Sequence, residues 1–239
     1  MSKPFHFRHF SMMHHRSTMK VGTDAVLLGA WTEMEKAGHI LDAGTGSGIL
    51  ALMAAQRNSL ATIHAIDVDA ESVREAAVNF ARSPWSDRLS VRHADLRSYK
   101  PEHKLSYDLI LSNPPFFENH IKTSDARRNL ARHTDSLSFA DLLGACSRLL
   151  SSKGRTSMVL PWEVGKQIIQ IAPSFDLWPS RILIIIPVKG REPNRMNLDL
   201  TKLPGTSLCE SNFVIRNASM QFTHEYLELL KDFYLGFGD

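Results

Sequence analysis

The chain predicts an α/β fold, doubly wound around a mostly parallel seven-stranded sheet, with a short N-terminal extension. Three observations carry that expectation. From His39 onward, short β-rich apolar runs alternate with segments of helical periodicity, the rhythm of a parallel sheet with helices on both faces. A glycine-rich turn, Asp42-Ala43-Gly44-Thr45-Gly46-Ser47-Gly48, joins the first such run to the first helical pattern. The run Arg181 to Val188 is nearly continuous Ile, Leu and Val, which fits a strand buried on both faces.

In order, the strands read 39–42, 62–67, 89–95, 107–112, 155–160, 180–187 and 212–217. Helical patterns fall between them at Gly48 to Gln56, Ala70 to Arg82, Phe139 to Leu150 and Glu163 to Ile171. In the third of these, Leu142, Leu143, Cys146, Leu149 and Leu150 recur at three-and-four spacing, so one face is apolar and belongs to the core. The closing segment Thr223 to Leu235 repeats that spacing in Tyr226, Leu227, Leu230, Phe233 and Tyr234 and should pack on the sheet. Lys189 to Ser211, with two prolines and two glycines, is the best candidate for a mobile loop. With 239 residues, 43% of them hydrophobic and 22% charged, the chain suits one domain over residues 35–239 preceded by an extension over 1–34.

Composition narrows the class. The apolar run Ile182 to Val188 is far below the roughly 18 residues of a membrane span, and the basic N-terminus lacks an apolar signal region. A soluble cytoplasmic protein without a membrane partner is expected. Cys146 and Cys209 form no CxxC pair, so neither a disulfide framework nor a zinc site is suggested. His6, His9, His14 and His15 show no regular ligand spacing, and no metal is expected. Net charge is only +3, but the positive side chains cluster. Lys3, Arg8, Arg16 and Lys20 lie in an acid-free opening, and Lys122, Arg127, Arg128, Arg132 and His133 form a second group. Two such clusters in one small chain favour a polyanionic partner.

The strand ends carry the chemistry. Asp42 closes the first strand, and Gly44, Gly46 and Gly48 follow as D-x-G-x-G-x-G rather than the dinucleotide pattern G-x-G-x-x-G. Glycines permit a tight turn and let a ligand approach bare backbone at a helix N-terminus. Asp67 ends the second strand about 20 residues later, where an acid can hold ribose hydroxyls. Asp95 ends the third and is suited to accept from an adenine amine. Taken singly, Asp67 or Asp95 could be a helix N-cap, but three acids closing three successive strands describe a nucleoside site. Val68 and Leu96, next to two of those acids, complete it.

The fourth strand opens into Asn113-Pro114-Pro115-Phe116. Two prolines fix the backbone and remove two donors, freeing the Pro114 carbonyl to face a ligand beside the Asn113 amide. Two acceptors side by side can hold both hydrogens of a planar amino group and draw its nitrogen toward a tetrahedral, nucleophilic geometry. Phe116 can stack on the ring that bears it. No strong base is needed, because orientation and proximity supply most of the assistance.

With these motifs the sequence resembles class I methyltransferases of the amino-methylating kind. More narrowly, it resembles the bacterial tRNA (adenine-N6) methyltransferase family that modifies adenine 37 of valine tRNA. The likeness extends over Phe5-His6-Phe7-Arg8-His9-Phe10, the segment Met19 to Trp31, Ala131-Arg132-His133 before Ser138, and the ending Glu225-Tyr226 through Leu235. It implies a Rossmann-like fold and S-adenosylmethionine as cofactor. It also implies cofactor contacts from Gly44, Gly46, Gly48, Asp67, Asp95 and Asn113, with Lys20 to Asp24, Thr23 among them, along the methionine end. An anticodon-loop base would enter near Phe116, with the two basic clusters gripping RNA phosphates.

Other readings share parts of this pattern. A glutamine-amide protein methyltransferase would use the same Asn-Pro-Pro-aromatic turn, but such enzymes usually bring an N-terminal helical domain, and only about thirty residues precede the core here. DNA or ribosomal RNA amino-methylation also fits the turn. A catalytically silent RNA-binding module would have no use for Asp42, the three glycines, Asp67, Asp95 and Asn113 together. A nicotinamide oxidoreductase has the wrong loop spacing.

Overall fold

The apolar runs that alternate along the chain can bury both their faces only if helices cover the sheet on each side, and that is the arrangement found. The computed structural model describes residues 4–17, 21–102, 105–114 and 137–236. A small hairpin, β1 (Phe5–His6) and β2 (Ser11–Met12), leads to α1 (Thr23–Trp31). Then follow β3 (His39–Ala43), α2 (Ile49–Arg57), β4 (Thr62–Asp67), α3 (Ala70–Arg82), β5 (Leu89–His93) and β6 (Tyr107–Ser112). The second half holds α4 (Phe139–Leu149), β7 (Leu150–Pro161), α5 (Trp162–Ile171), β8 (Trp178–Val188), β9 (Arg195–Thr201), β10 (Cys209–Arg216) and α6 (His224–Leu230).

The main sheet runs β10-β8-β9-β7-β6-β3-β4-β5. It has eight strands, one more than the sequence suggested. The additional strand is β9, antiparallel to β7 and β8, and it lies inside the segment expected to be a mobile loop. The reason is legible in its residues. Met196, Leu198 and Leu200 look onto one core, while Asn197, Asp199 and Thr201 alternate with them and are also buried. Asp199 is paired in the interior through Oδ2 with Arg155 at 3.1 Å and Arg181 at 3.6 Å, both on neighbouring strands. A polar alternate face normally marks solvent; here it is covered by partners far away in sequence. The other boundaries differ modestly: β5 ends two residues before Asp95, β7 starts five residues early, and α6 stops at Leu230, although Phe233 beyond it is buried.

The sheet's two faces serve separate apolar clusters. Ile40, Ile63, Leu111 and Val159 join α1, α2, α3 and α6 on one side. Leu41, Ile66, Ile110 and Leu160 join α4 and α5 on the other. In β8, Leu183 and Ile185 serve the first cluster and Ile182 the second, so this strand is packed from both faces as its composition predicts. The hairpin β1–β2 docks through aromatic rings. Phe7 stacks on Phe10 at 4.6 Å and faces Tyr234 at 5.8 Å, while the Arg8 N–H donates to Phe233 O.

Two helix starts bear on the site. Asp69, not Asp67, is the N-cap of α3, its carboxylate accepting from Ser72 N–H at 2.8 Å. Asp67 is thereby left to the loop. Ser138 and Asp141 form a reciprocal capping box at the start of α4.

Candidate functional site

Strand order reverses beside β3: β4 and β5 extend to one side of it, β6 and β7 to the other. The carboxyl ends of β3 and β6 lie side by side there, the place at which doubly wound folds form the crevice that binds ligands. Register places the two motifs together. Ala43 pairs with Ser112, so Gly44 and Asn113 are the next residues out on adjacent strands. The Ser112 hydroxyl donates to Ala43 O at 2.9 Å and fastens the two ends.

The glycine turn is stitched to the end of β4. Gly44 and Thr45 both donate their N–H to Ile66 O, at 2.9 and 3.0 Å, and Gly46 N–H donates to Asp67 Oδ2 at 2.8 Å. All three glycines have positive φ, 78°, 55° and 92° for Gly44, Gly46 and Gly48. Their surroundings separate their roles. A Cβ on Gly44 or Gly46 would meet nothing within 4 Å, whereas one on Gly48 would lie 2.5 Å from Phe80 Cε1. The first two therefore present bare backbone to open space, and the third lets α2 and α3 pack closely.

Asp42 points inward and is wholly buried. Its Oδ2 accepts from Thr45 Oγ1 at 2.6 Å and Ala51 N–H at 3.1 Å, so the side chain shapes the turn from beneath. Burial pushes its carboxyl up to about 7; the Thr45 and Ala51 donors oppose the rise and the Asp67 charge adds to it. Asp67 accepts Gly46 N–H on one oxygen and Asp69 N–H, at 2.9 Å, on the other. An ionised carboxylate offers about four acceptor positions, so both oxygens keep capacity for a diol. Val68 beside it is 64% exposed, an apolar surface of the kind that covers one face of a purine. Asp95 is held by the Arg97 guanidinium through Nε at 2.9 Å and Nη2 at 2.5 Å, and that pair keeps its carboxyl below the usual range. Leu96 is buried under it.

These observations fit the cofactor of the resemblance: open glycine backbone for an amino-acid tail, a diol acceptor, an apolar flank and an acid for an amine. Asn113 is half-buried and Pro114 buried at the β6 edge of the same crevice. Pro115, Phe116, Lys20, Lys122, Arg127, Arg128, Arg132 and His133 lie outside the described residues. Thr23 is exposed as the first residue of α1. Arg16 is exposed on the segment leading from β2, 3.9 Å from Glu71, and Arg8 is exposed on the hairpin turn, its backbone N–H donating to Phe233 O.

Two side chains that motif reasoning passed over bind that segment to the site. Glu75, 3% exposed on α3, accepts the N–H groups of His15 at 3.0 Å, Arg16 at 3.1 Å and Ser17 at 2.8 Å. Burial works against its ionisation, but those donors outweigh it and hold the carboxyl below its usual range. Asn79, 1% exposed, accepts from Met13 N–H and donates to Met13 O and Ser47 O, each at 2.8 Å. The available signal was their position: Ser72, Glu75, Ala76, Asn79 and Phe80 share one helical face, and polar residues on a core face need partners. The early histidines bond within the protein, His6 to Ser11, His14 to Val21 N–H and His15 to Glu75. Among the described residues no group of three His, Cys, Asp or Glu side chains is placed to hold a metal ion.

The described fold and its loop have known relatives. Residues 7–160 match the family model of the methyltransferase small domain. A tRNA1(Val) (adenine(37)-N6)-methyltransferase of Parabacteroides distasonis is 42% identical over 231 residues, 97% of each chain. One of the same name from Flavobacterium psychrophilum is 40% identical over 97% of this chain and 99% of its own. Among solved structures, a predicted O-methyltransferase from Agrobacterium tumefaciens superposes with a TM-score of 0.66 at 19% identity, covering 88% of this chain and 96% of the other. A methyltransferase from Pyrococcus furiosus gives 0.57 at 18% identity, covering 81% and 89%. The structural likeness shows the fold, and the near full-length sequence identity shows the family: the chain belongs to the tRNA1(Val) (adenine(37)-N6)-methyltransferase family, within the methyltransferase small-domain proteins.

Proposed function

We propose that this protein transfers the methyl group of S-adenosylmethionine to the exocyclic N6 of an adenine in tRNA, adenine 37 in the anticodon loop of valine tRNA. The observation that carries the reading is the Ala43 to Ser112 register, which sets the glycine turn and Asn113 side by side at the switch point. Gly44 and Gly46 would take the methionine end, with Thr23 and Lys20 near it. Asp67 would take the ribose, and Val68, Asp95 and Leu96 the adenine. Asp42 supports the turn. Residues 35–239 act as the methyltransferase domain, and residues 1–34 contribute part of the cofactor and RNA site.

The cofactor supplies an electrophilic methyl on a sulfonium, and the protein's task is to aim a weak nucleophile at it. The Asn113 side-chain oxygen and the Pro114 carbonyl each accept one hydrogen of the adenine amine. That contact would orient the nitrogen lone pair and stabilise the positive charge that grows on the nitrogen as the N–C bond forms and the S–C bond breaks with release of S-adenosylhomocysteine; the proton would leave the methylated nitrogen afterwards to water. In this reading Pro115 would restrict the backbone beside that carbonyl, and Phe116 would stack on the flipped base. Arg8 and Arg16, with Lys122, Arg127, Arg128, Arg132 and His133, hold phosphates. Among the described residues no helix is long and apolar enough to cross a membrane.

The test is mass-spectrometric mapping of methylated nucleosides in tRNA after incubation with protein and labelled donor, against naked DNA and ribosomes as competing acceptors. Asn113→Ala should keep cofactor binding and lose about 100-fold or more in methyl transfer. Equal activity in that variant, or preferential labelling of DNA or ribosomes, would overturn the assignment.

A further inference from the structure

We infer that Glu75 and Asn79 are positioning residues of the cofactor site, which act by clamping the N-terminal segment 13–17 onto the glycine turn. The inference rests on the reading that this turn holds the cofactor. Asn79 touches both parties. Its carboxamide closes a two-way pair with the Met13 backbone and uses its remaining N–H on Ser47 O, the carbonyl between Gly46 and Gly48. The next residue, Phe80, is the ring against which Gly48 rests. One turn earlier on the same helix face, Glu75 gathers three consecutive N–H groups of residues 15–17 in a concave backbone nest.

The geometry has a division of labour. Every donor and acceptor of the Asn79 side chain used here goes to backbone, so it fixes main-chain position independently of the side chains around it. Through Glu75 and Asn79 the helix acts on the two segments that it joins. With the clamp closed, the backbone of the turn is preorganised, and segment 13–17 is held at a fixed point beside it. His14 continues the tether by accepting Val21 N–H at 3.3 Å. With the clamp open, the Ser47 carbonyl and the Met13 peptide lose buried partners, and the turn must be ordered by the cofactor at the expense of affinity.

The experiment is isothermal titration of the full-length protein with S-adenosylmethionine, paired with steady-state kinetics on tRNA. Asn79→Ala should raise the cofactor Kd and KM by about tenfold or more, with kcat at saturating cofactor changed by less than about twofold. Glu75→Gln, which keeps shape and removes charge, should move the same two constants in the same direction by less. A purely structural role would lower the melting temperature and leave the cofactor Kd, measured well below it, where it was; that result overturns the inference. Should Asn79→Ala not fold, Asn79→Asp keeps the Met13 N–H acceptor, loses the Ser47 contact and must show the same rise in Kd. Gly46→Ala is the control on the underlying reading. If it binds cofactor normally, the turn is not the site; if it loses binding while Asn79→Ala and Glu75→Gln do not, the clamp alone is wrong.

Discussion

Replacing each of the three turn glycines by alanine should separate packing from ligand approach. All three occupy the left-handed region, so each alanine incurs about 1–2 kcal/mol of backbone strain, offset by about 0.4–1 kcal/mol from the stiffer unfolded chain. Those two effects are common to the series. Gly48→Ala alone adds a methyl 2.5 Å from Phe80 Cε1, and Phe80 is buried in the core, so the ring or the helix has to move. Overpacking of that kind costs about 1–3 kcal/mol. Urea unfolding without cofactor should therefore find Gly48→Ala less stable than Gly44→Ala or Gly46→Ala by about 1–3 kcal/mol. Cofactor titration should invert the ranking. Gly44→Ala and Gly46→Ala put a methyl where nothing lies within 4 Å, which is where the ligand must approach, and should lose about tenfold or more in affinity. Equal stability across the series would refute the packing role of Gly48. Unchanged cofactor affinity in both of the other variants would refute the ligand-facing role of the first two.

Asp42 makes stability depend on pH. Its folded carboxyl is raised to about 7, so its contribution is complete below the unfolded value near 4 and is lost as pH rises through 7. At about 1.4 kcal/mol per pH unit the full loss amounts to about 4 kcal/mol, of which about 3 kcal/mol falls between pH 5 and pH 8; unfolding at those two pH values should show it in the native protein and not in Asp42→Asn, and parallel slopes would count against it. Asp199→Ala should be among the most destabilising single changes, by about 3 kcal/mol, because two inward arginines on β7 and β8 lose their buried counter-ion. Lys166→Ala, which breaks the exposed Glu163 pair, should stay within about 0.5 kcal/mol in the same denaturation assay; similar losses in the two variants would deny the interior ion pair its role.

Sequence alone determined the parts of this protein whose physics is local. A parallel strand covered on both faces has to be a run of apolar residues, as in Arg181 to Val188, and a turn that needs positive φ at alternate positions has to be written Gly44, Gly46 and Gly48. Acids at or just beyond strand ends, Asp42, Asp67 and Asp95, are equally legible, because residue type and place in the strand-to-helix rhythm define them. Tertiary structure decided whatever depends on partners distant in the chain. It placed Arg195–Thr201 in the middle of the sheet, where Arg155 and Arg181 pair with Asp199, although the prolines and glycines around it had suggested a loop. It turned Asp42 inward as a support, gave the Asp95 carboxylate an Arg97 partner, and made Asp69 rather than Asp67 the helix cap. It also showed that Glu75 and Asn79, unremarkable in a helical pattern, bind the N-terminal segment to the glycine turn. A hydrogen bond across 66 residues leaves no mark in local periodicity, and only the folded chain brings its two ends together.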